Sequence, residues 1–326
     1  MANQFYPWKK FLSRFRLWKS EEKNKEEIKR EEKETKFSEE TLQLLETLGK
    51  ESWQIKEFLI NDYKGLPVSP EMKEIFYNYY ITHSIFAAAT SSNPGTSVIT
   101  EFLYDGIEKL NPHFPFDQYF LQSKGGQAVK ERLKAVEEEF PKIIEEYRQK
   151  GEVLIGNLGS GPGRDVLDIF SAHYKNALDV KAIHVDKDRL ALEKGERMAE
   201  IKGVRDQIEF IEASFLKYKP TKKFDIALLI GILCPLEFET CVIILKRIKR
   251  LLKKDSCIVV SNVSKKMLEE DPFTCYLMSL LHWKLAFKDE GELKQIFEKA
   301  GYIWKGCFKD SYGFHIIGKG TPHFYF

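Results

Sequence analysis

Three glycines, at 159, 161 and 163, stand in "NLGSGPGRD", between the apolar run "EVLIGNL" and the segment "VLDIFSAHY". A turn of this kind between a strand and a helix lets a ligand lie close to backbone that no Cβ obstructs. A dinucleotide's pyrophosphate would call for Gly-x-Gly-x-x-Gly; Gly159 and Gly161 meet the first two positions, but Arg164 holds the third. A phosphate loop would need Lys followed by Ser or Thr, and the turn has neither. The Arg164 position counts against a nicotinamide oxidoreductase. Asp186 closes the next apolar run, "VKAIHVD", and so stands where a second strand would end beside the glycine turn.

Other side chains with possible chemistry are few. The seven histidines show no His-x-x-x-His or other metal spacing, so no metal site is expected. The five cysteines (234, 241, 257, 275 and 307) form no Cys-x-x-Cys pair and read as buried free thiols in a reducing compartment. Asp165 suits the first turn of a helix on dipole grounds alone, and equally suits a ligand contact. Asp225 opens an apolar strand and reads as structural as readily as functional.

The glycine spacing, with "EASFLKY" (212–218) and "FDIALLIGILCPLE" (224–237), resembles the Rossmann-like class I methyltransferases that use S-adenosylmethionine. The resemblance covers about 150–326. It implies a cofactor site made of Asn157, Gly159, Ser160, Gly161 and Gly163 in the turn, with Asp186 and Lys187 at the ribose. It places Ala213, Ser214 and Phe215 at the adenine, and Ile230 and Gly231 at the methionine end. The family often has an acid where Asn157 stands, so the charge near the sulfonium is missing from that position. No Asn-Pro-Pro-Tyr or Asp-Pro-Pro-Tyr follows the fourth strand; Cys234-Pro235-Leu236 stands there, which disfavours methylation of nucleobase amines or glutamine amides. A narrower similarity, carried by "LGSGPGRD", "VSNV" and "HWKLAFKDEGELKQIFEKAGY", is to a bacterial branch that includes the synthases of 3-hydroxy fatty acid methyl esters. That branch implies a carboxylate on an acyl chain as acceptor. The 263–289 segment borders the acceptor in the family. It supplies Tyr276, His282 and Trp283 here, and with Cys234 these are the candidate pocket residues. His282 is the candidate for acting on the acceptor.

These residues need a scaffold. From 149 onward, apolar runs alternate with amphipathic stretches, which predicts a doubly wound, mostly parallel seven-stranded α/β sheet closed by a C-terminal antiparallel hairpin. Residues 37–148 carry helical periodicity with N-cap signals at Ser38 and at Ser69-Pro70, and read as an all-helical subdomain or lid. Residues 20–36 are nearly all charged, with Glu21 and Lys25, Glu26 and Arg30, and Glu32 and Lys36 at i,i+4. Residues 1–20 hold five basic and no acidic residues, with Trp8, Phe11, Leu12 and Phe15 on one helical face. That face suits either an anionic membrane surface or docking on protein. The first 36 residues are thus a basic aromatic tail and charged spacer.

With 51 basic against 49 acidic residues, the chain has no excess charge for a dedicated nucleic-acid binder. No run resembles a signal peptide or membrane span, so a cytoplasmic protein is expected, with residues 1–20 left open between a membrane surface, a partner and the protein's own body. The function expected is methyl transfer to a small or lipid-like molecule bearing a carboxylate or hydroxyl. The alternative is a non-catalytic cofactor-binding or interaction module.

Overall fold

Apolar runs in the second half become the strands of one sheet. A computed structural model describes residues 37–105 and 114–324 of the chain. The expected tail and spacer, 1–36, lie outside the described residues. The strands are β1 (Val153–Leu158), β2 (Val180–Asp186), β3 (Ile208–Glu212), β4 (Phe224–Leu229), β5 (Leu252–Val263), β6 (Tyr302–Lys309) and β7 (His315–Pro322). They form a seven-stranded sheet of order β3-β2-β1-β4-β5-β7-β6. The first five are parallel neighbours, and β7 runs antiparallel between β5 and β6. This is the doubly wound sheet with an antiparallel C-terminal hairpin that the alternation of runs predicts.

The central strands β1 and β4 and the second half of β5 are largely buried and apolar because both sheet faces are covered. On one face Leu158, Val185, Ala227 and Val260 meet Leu245, Ile248, Ile296 and Phe297, from α10 (Phe238–Ile248) and α13 (Glu290–Lys299). On the other, Ile155, Ala182, Ile226 and Val259 meet Val136 and Phe140 of α7 (Lys124–Arg148), Val166 and Leu167 of α8 (Arg164–Ile169), and Ala199 of α9 (Arg189–Lys202). Asp225, left open by the sequence, is structural. Its carboxylate accepts from the Leu154 N–H at 3.0 Å and from Lys253 Nζ at 2.8 Å, at the strand ends opposite the glycine turn.

Ahead of the sheet lie α1 (Glu39–Glu51), α2 (Trp53–Tyr63), α3 (Pro70–Thr82), α4 (Ile85–Ser92), α5 (Ser97–Asp105) and α6 (Pro115–Gln122), followed by α7. Ser38 caps α1 and Ser69 caps α3 with Pro70 at the first helical position, as their sequences suggest. Residues Ser38–Phe326 form one compact unit. The helices pack through rings: Phe76 lies over Phe58 (4.7 Å between centroids), Tyr80 against Phe116 (4.4 Å), and Phe86 on Phe120 (3.9 Å).

Between β5 and α13 the chain inserts α11 (Lys265–Glu270) and α12 (Pro272–Leu280). Asp271 caps α12 through the Thr274 N–H, and its other oxygen accepts the Gly125 N–H of α7 at 2.8 Å. A Cβ at Gly125 would sit 2.6 Å from Met267 and 2.8 Å from Thr274, so the first turn of α7 meets the insertion without a side chain between them. Asp271→Ala strips an acceptor from two buried N–H groups and is expected to cost about 1–3 kcal/mol. Urea unfolding of the full chain measures this; a midpoint equal to wild type would show that Asp271 does not fasten the insertion to α7.

Candidate active site

The glycine turn is built at the carboxyl end of β1. Gly159, Gly161 and Gly163 all have left-handed backbone, with φ of 69°, 55° and 77°. Space reinforces the requirement at two of them. A Cβ at Gly163 would lie 2.0 Å from the His184 ring, and one at Gly159 would lie 2.4 Å from Ile232. Burial pushes the His184 imidazole down to about 3, so it is a neutral wedge beneath the turn. The Gly161 N–H donates to Asp186 Oδ2 at 2.7 Å, and the Asp188 N–H donates to Oδ1 at 2.9 Å. Asp188, not Asp186, caps α9, accepting from Leu190 and Ala191. Asp186 is therefore not consumed as a cap, and each of its oxygens keeps acceptor capacity for a hydroxyl pair.

Next to the turn the site becomes ionic. Asn157 is 2% exposed and donates from Nδ2 to Asp165 Oδ1 at 3.1 Å. Loss of hydration pushes the Asp165 carboxyl up to about 6, against the pull of the Val166 N–H and Asn157. The negative charge missing at position 157 thus stands one step away, in the first turn of α8. Arg132 of α7 approaches from the other side. It is 5% exposed and donates from Nη2 to the Tyr104 hydroxyl at 3.2 Å. A Cβ at Gly231, just past β4, would lie 3.6 Å from Arg132 Nη1. The Gly231 N–H donates to Ser261 Oγ of β5 at 2.8 Å.

Helix α5 covers the turn. Ser97 lies over Gly161, 3.0 Å from where a Cβ would be. Arg164, which breaks the dinucleotide pattern, turns outward to α5: its guanidinium lies 2.7 Å from Asp105 and 3.6 Å from Glu101, and rests over the Tyr104 ring. Lys194 of α9 adds a 2.6 Å contact to Glu101, which is buried. The residue that departs from the dinucleotide pattern is thus used to hold α5 against the turn.

The structure brings Asn157, Gly159, Ser160, Gly161, Gly163 and Asp186 together at one edge. Phe215 faces Gly159, 3.6 Å from the position of a Cβ there, and the Ala213 N–H donates to the Asp186 carbonyl at 2.8 Å. Lys187 and Ser214 are exposed beside them, and Ile230 and Gly231 are half-buried at the end of β4. Cys234 is buried, its thiol pushed up by desolvation, and its carbonyl accepts the Ala286 N–H at 2.7 Å. Tyr276 donates to Asp62 of α2 at 2.9 Å and packs on Tyr63 and Phe273. Trp283 lies 6.2 Å from Phe86. His282 follows α12 in left-handed backbone, φ 61°, with its ring 6.4 Å from Tyr77.

Arg132 and Tyr104 were not among the residues expected at the site, and the sequence leaves Asp165 open between a helix-dipole and a ligand role. Arg132 did carry a signal: it sits at i+4 from Ala128 and i−4 from Val136, a charge on the apolar stripe of α7. Among the described residues no group of three or more His, Cys, Asp or Glu side chains gathers as a metal site would require, and no helix is long and apolar enough to cross a membrane.

Residues 150–301 match the model of a family described as a methyltransferase domain. No curated protein matches the chain. Among solved structures, a possible exported protein from Bordetella parapertussis superposes with a TM-score of 0.63 at 15% identity, covering 89% of this chain and 100% of that one. The magnesium protoporphyrin IX methyltransferase of Synechocystis PCC 6803, solved with bound S-adenosylhomocysteine, gives a TM-score of 0.52 at 12% identity, covering 73% of this chain and 99% of that one. At such identities the likeness speaks for the fold. Glycine turn, strand order and family match point the same way: residues 150–301 are similar to a methyltransferase domain and are carried on a Rossmann-like doubly wound sheet.

Proposed function

We propose that the chain transfers a methyl group from S-adenosylmethionine to a small molecule carrying a carboxylate or hydroxyl on a hydrophobic, lipid-like body. The observation that carries the cofactor half is the pairing of three left-handed glycines with Asp186 at the carboxyl ends of β1 and β2. When bound, the cofactor supplies an electrophilic sulfonium methyl. The chain's own task is then to hold and to align. In this reading Asp186 accepts from the ribose hydroxyls, Ala213 to Phe215 flank the adenine, and Asn157, Asp165 and Gly231 surround the amino-acid end. Helix α5, fastened by Arg164, keeps water from the turn.

A carboxylate acceptor needs no base, whereas a hydroxyl would need one; His282 is the residue we assign to that role. What favours an apolar acceptor body is the aromatic seam where Tyr77 and Phe86 meet His282 and Trp283. An acyl acceptor would also accord with the similarity to the fatty acid methyl ester branch and with the basic aromatic segment 1–20 lying on a membrane. If so, the full chain sediments with anionic vesicles and a chain beginning at Phe37 does not, with the difference fading in high salt. Equal sedimentation of the two would remove the membrane from this reading.

The cofactor assignment is checked by calorimetry. S-adenosylmethionine is expected to bind in the low-micromolar range, about −7 to −8 kcal/mol. Asp186→Ala should weaken it by about 2 kcal/mol or more, because the ribose loses its acceptor and the Gly161 N–H loses its anchor. Unchanged affinity in that variant, or tight nicotinamide dinucleotide binding by the native chain, would defeat the assignment.

The pH dependence follows from Asp165. Its carboxyl is neutral below about pH 6 and anionic above. Only the anion attracts the cofactor's ammonium and sulfonium groups, so affinity should rise as pH increases through 6. Between pH 5 and 7 the gain should be about tenfold, or about 1.4 kcal/mol. Asp165→Asn should flatten the curve and hold it at the low-pH value; a curve unchanged by that substitution would place the titrating group elsewhere.

A further inference from the structure

Arg132 is a guanidinium taken out of water with little in return. Of its five N–H donors, one is used among the described residues, by the Tyr104 hydroxyl. Its Nε is buried and has no hydrogen-bond partner. No carboxylate of the described residues comes within ion-pair distance; Asp165 acts on it only across space, as does Cys234. A lone buried charge is strongly destabilising unless an anion completes it. Every other clustered arginine near the turn is served: Arg164 has Asp105, Glu101 and Asp168.

The location shows where the anion would come from. Arg132 Nη1 lies against Gly231, where the chain leaves β4, and Asp165 and Asn157 stand across from it at the end of β1. That is the crevice at the carboxyl ends of the strands, where a doubly wound sheet takes its ligand. The guanidinium is planar, and two of its N–H groups can meet both oxygens of a carboxylate at once. Tyr104 holds one arm of the fork, and Tyr104 belongs to α5, the helix that closes over the glycine turn.

We infer that Arg132 is the receptor for a ligand carboxylate entering this crevice, paired through its free N–H groups while Tyr104 fixes the fork. The inference rests on the methyltransferase reading above and extends it to a residue outside the glycine turn and its acid. Two sources offer the carboxylate: the amino-acid end of the cofactor, and the acceptor itself. In the second case Arg132 would place the nucleophilic oxygen rather than the cofactor.

The test uses the full chain and calorimetry with three probes: S-adenosylhomocysteine, its decarboxylated analogue, and octanoate titrated onto protein saturated with S-adenosylhomocysteine. Arg132→Gln removes the charge; Arg132→Lys keeps the charge and loses the fork, and remains usable if the Gln variant does not fold. If the cofactor's carboxylate is the partner, wild type prefers S-adenosylhomocysteine to the decarboxylated analogue by tenfold or more, and Arg132→Gln erases the preference. Arg132→Lys then retains part of it. If the acceptor's carboxylate is the partner, that preference survives both substitutions, and octanoate binding falls tenfold or more in Arg132→Gln. The inference is overturned if neither quantity moves in either variant, or if wild type itself is indifferent to both carboxylates. Failure of the wild-type chain to bind S-adenosylhomocysteine would instead overturn the reading on which the inference rests.

Discussion

The backbone between β1 and α8 can turn as it does only because no side chain stands at 159, 161 or 163. All three positions are left-handed, a conformation that costs other residues free energy. Two of the three are also filled from outside, by Ile232 and by the His184 ring. One hydrogen bond then fixes the turn to the second strand, from the Gly161 N–H to Asp186. The same carboxylate that would meet a ribose therefore first sets the loop on which that ligand would lie. Capping of α9 falls to Asp188 two residues later, which leaves Asp186 for this work.

The helices ahead of the sheet are part of this arrangement and not an attachment to it. Helix α5 reaches the turn through Ser97 and is held by Arg164 and Lys194. Helix α7 lies under α5 with Arg132, covers one sheet face with Val136 and Phe140, and meets the insertion at Gly125. The insertion in turn touches α2 through Tyr276 and Asp62, and α4 through Trp283 and Phe86.

Charge near the turn is distributed differently from what a family pattern implies. Asn157 takes the place of an acid, yet its amide donates to Asp165, which restores a carboxyl to the neighbourhood. Desolvation keeps that carboxyl near its titration point, while Arg132 lies close enough to pull it the other way. An acid and a base facing one crevice without touching suit a zwitterionic ligand better than a simple anion.

How much of this was legible depends on the distance over which each feature acts. Strands, sheet class, the glycine turn and Asp186 were readable because each is local: apolar runs, glycine spacing and a strand-end acid are visible within a few residues. The caps at Ser38 and Ser69 were readable for the same reason. The rest was decided by contacts between distant segments. Glu101 meets Lys194 across 93 positions, Gly125 meets Asp271 across 146, and Asp62 meets Tyr276 across 214. Arg164 read as a fault in a dinucleotide motif until the fold supplied Asp105 and Glu101 opposite it. Arg132 could be seen as a charge on an apolar stripe, but what it faces depends on where β4 ends and how α7 crosses the sheet. Local pattern fixes which elements form and which backbone is bare; only the packing of those elements decides which side chains share a crevice, since burial and pairing belong to neighbours in space.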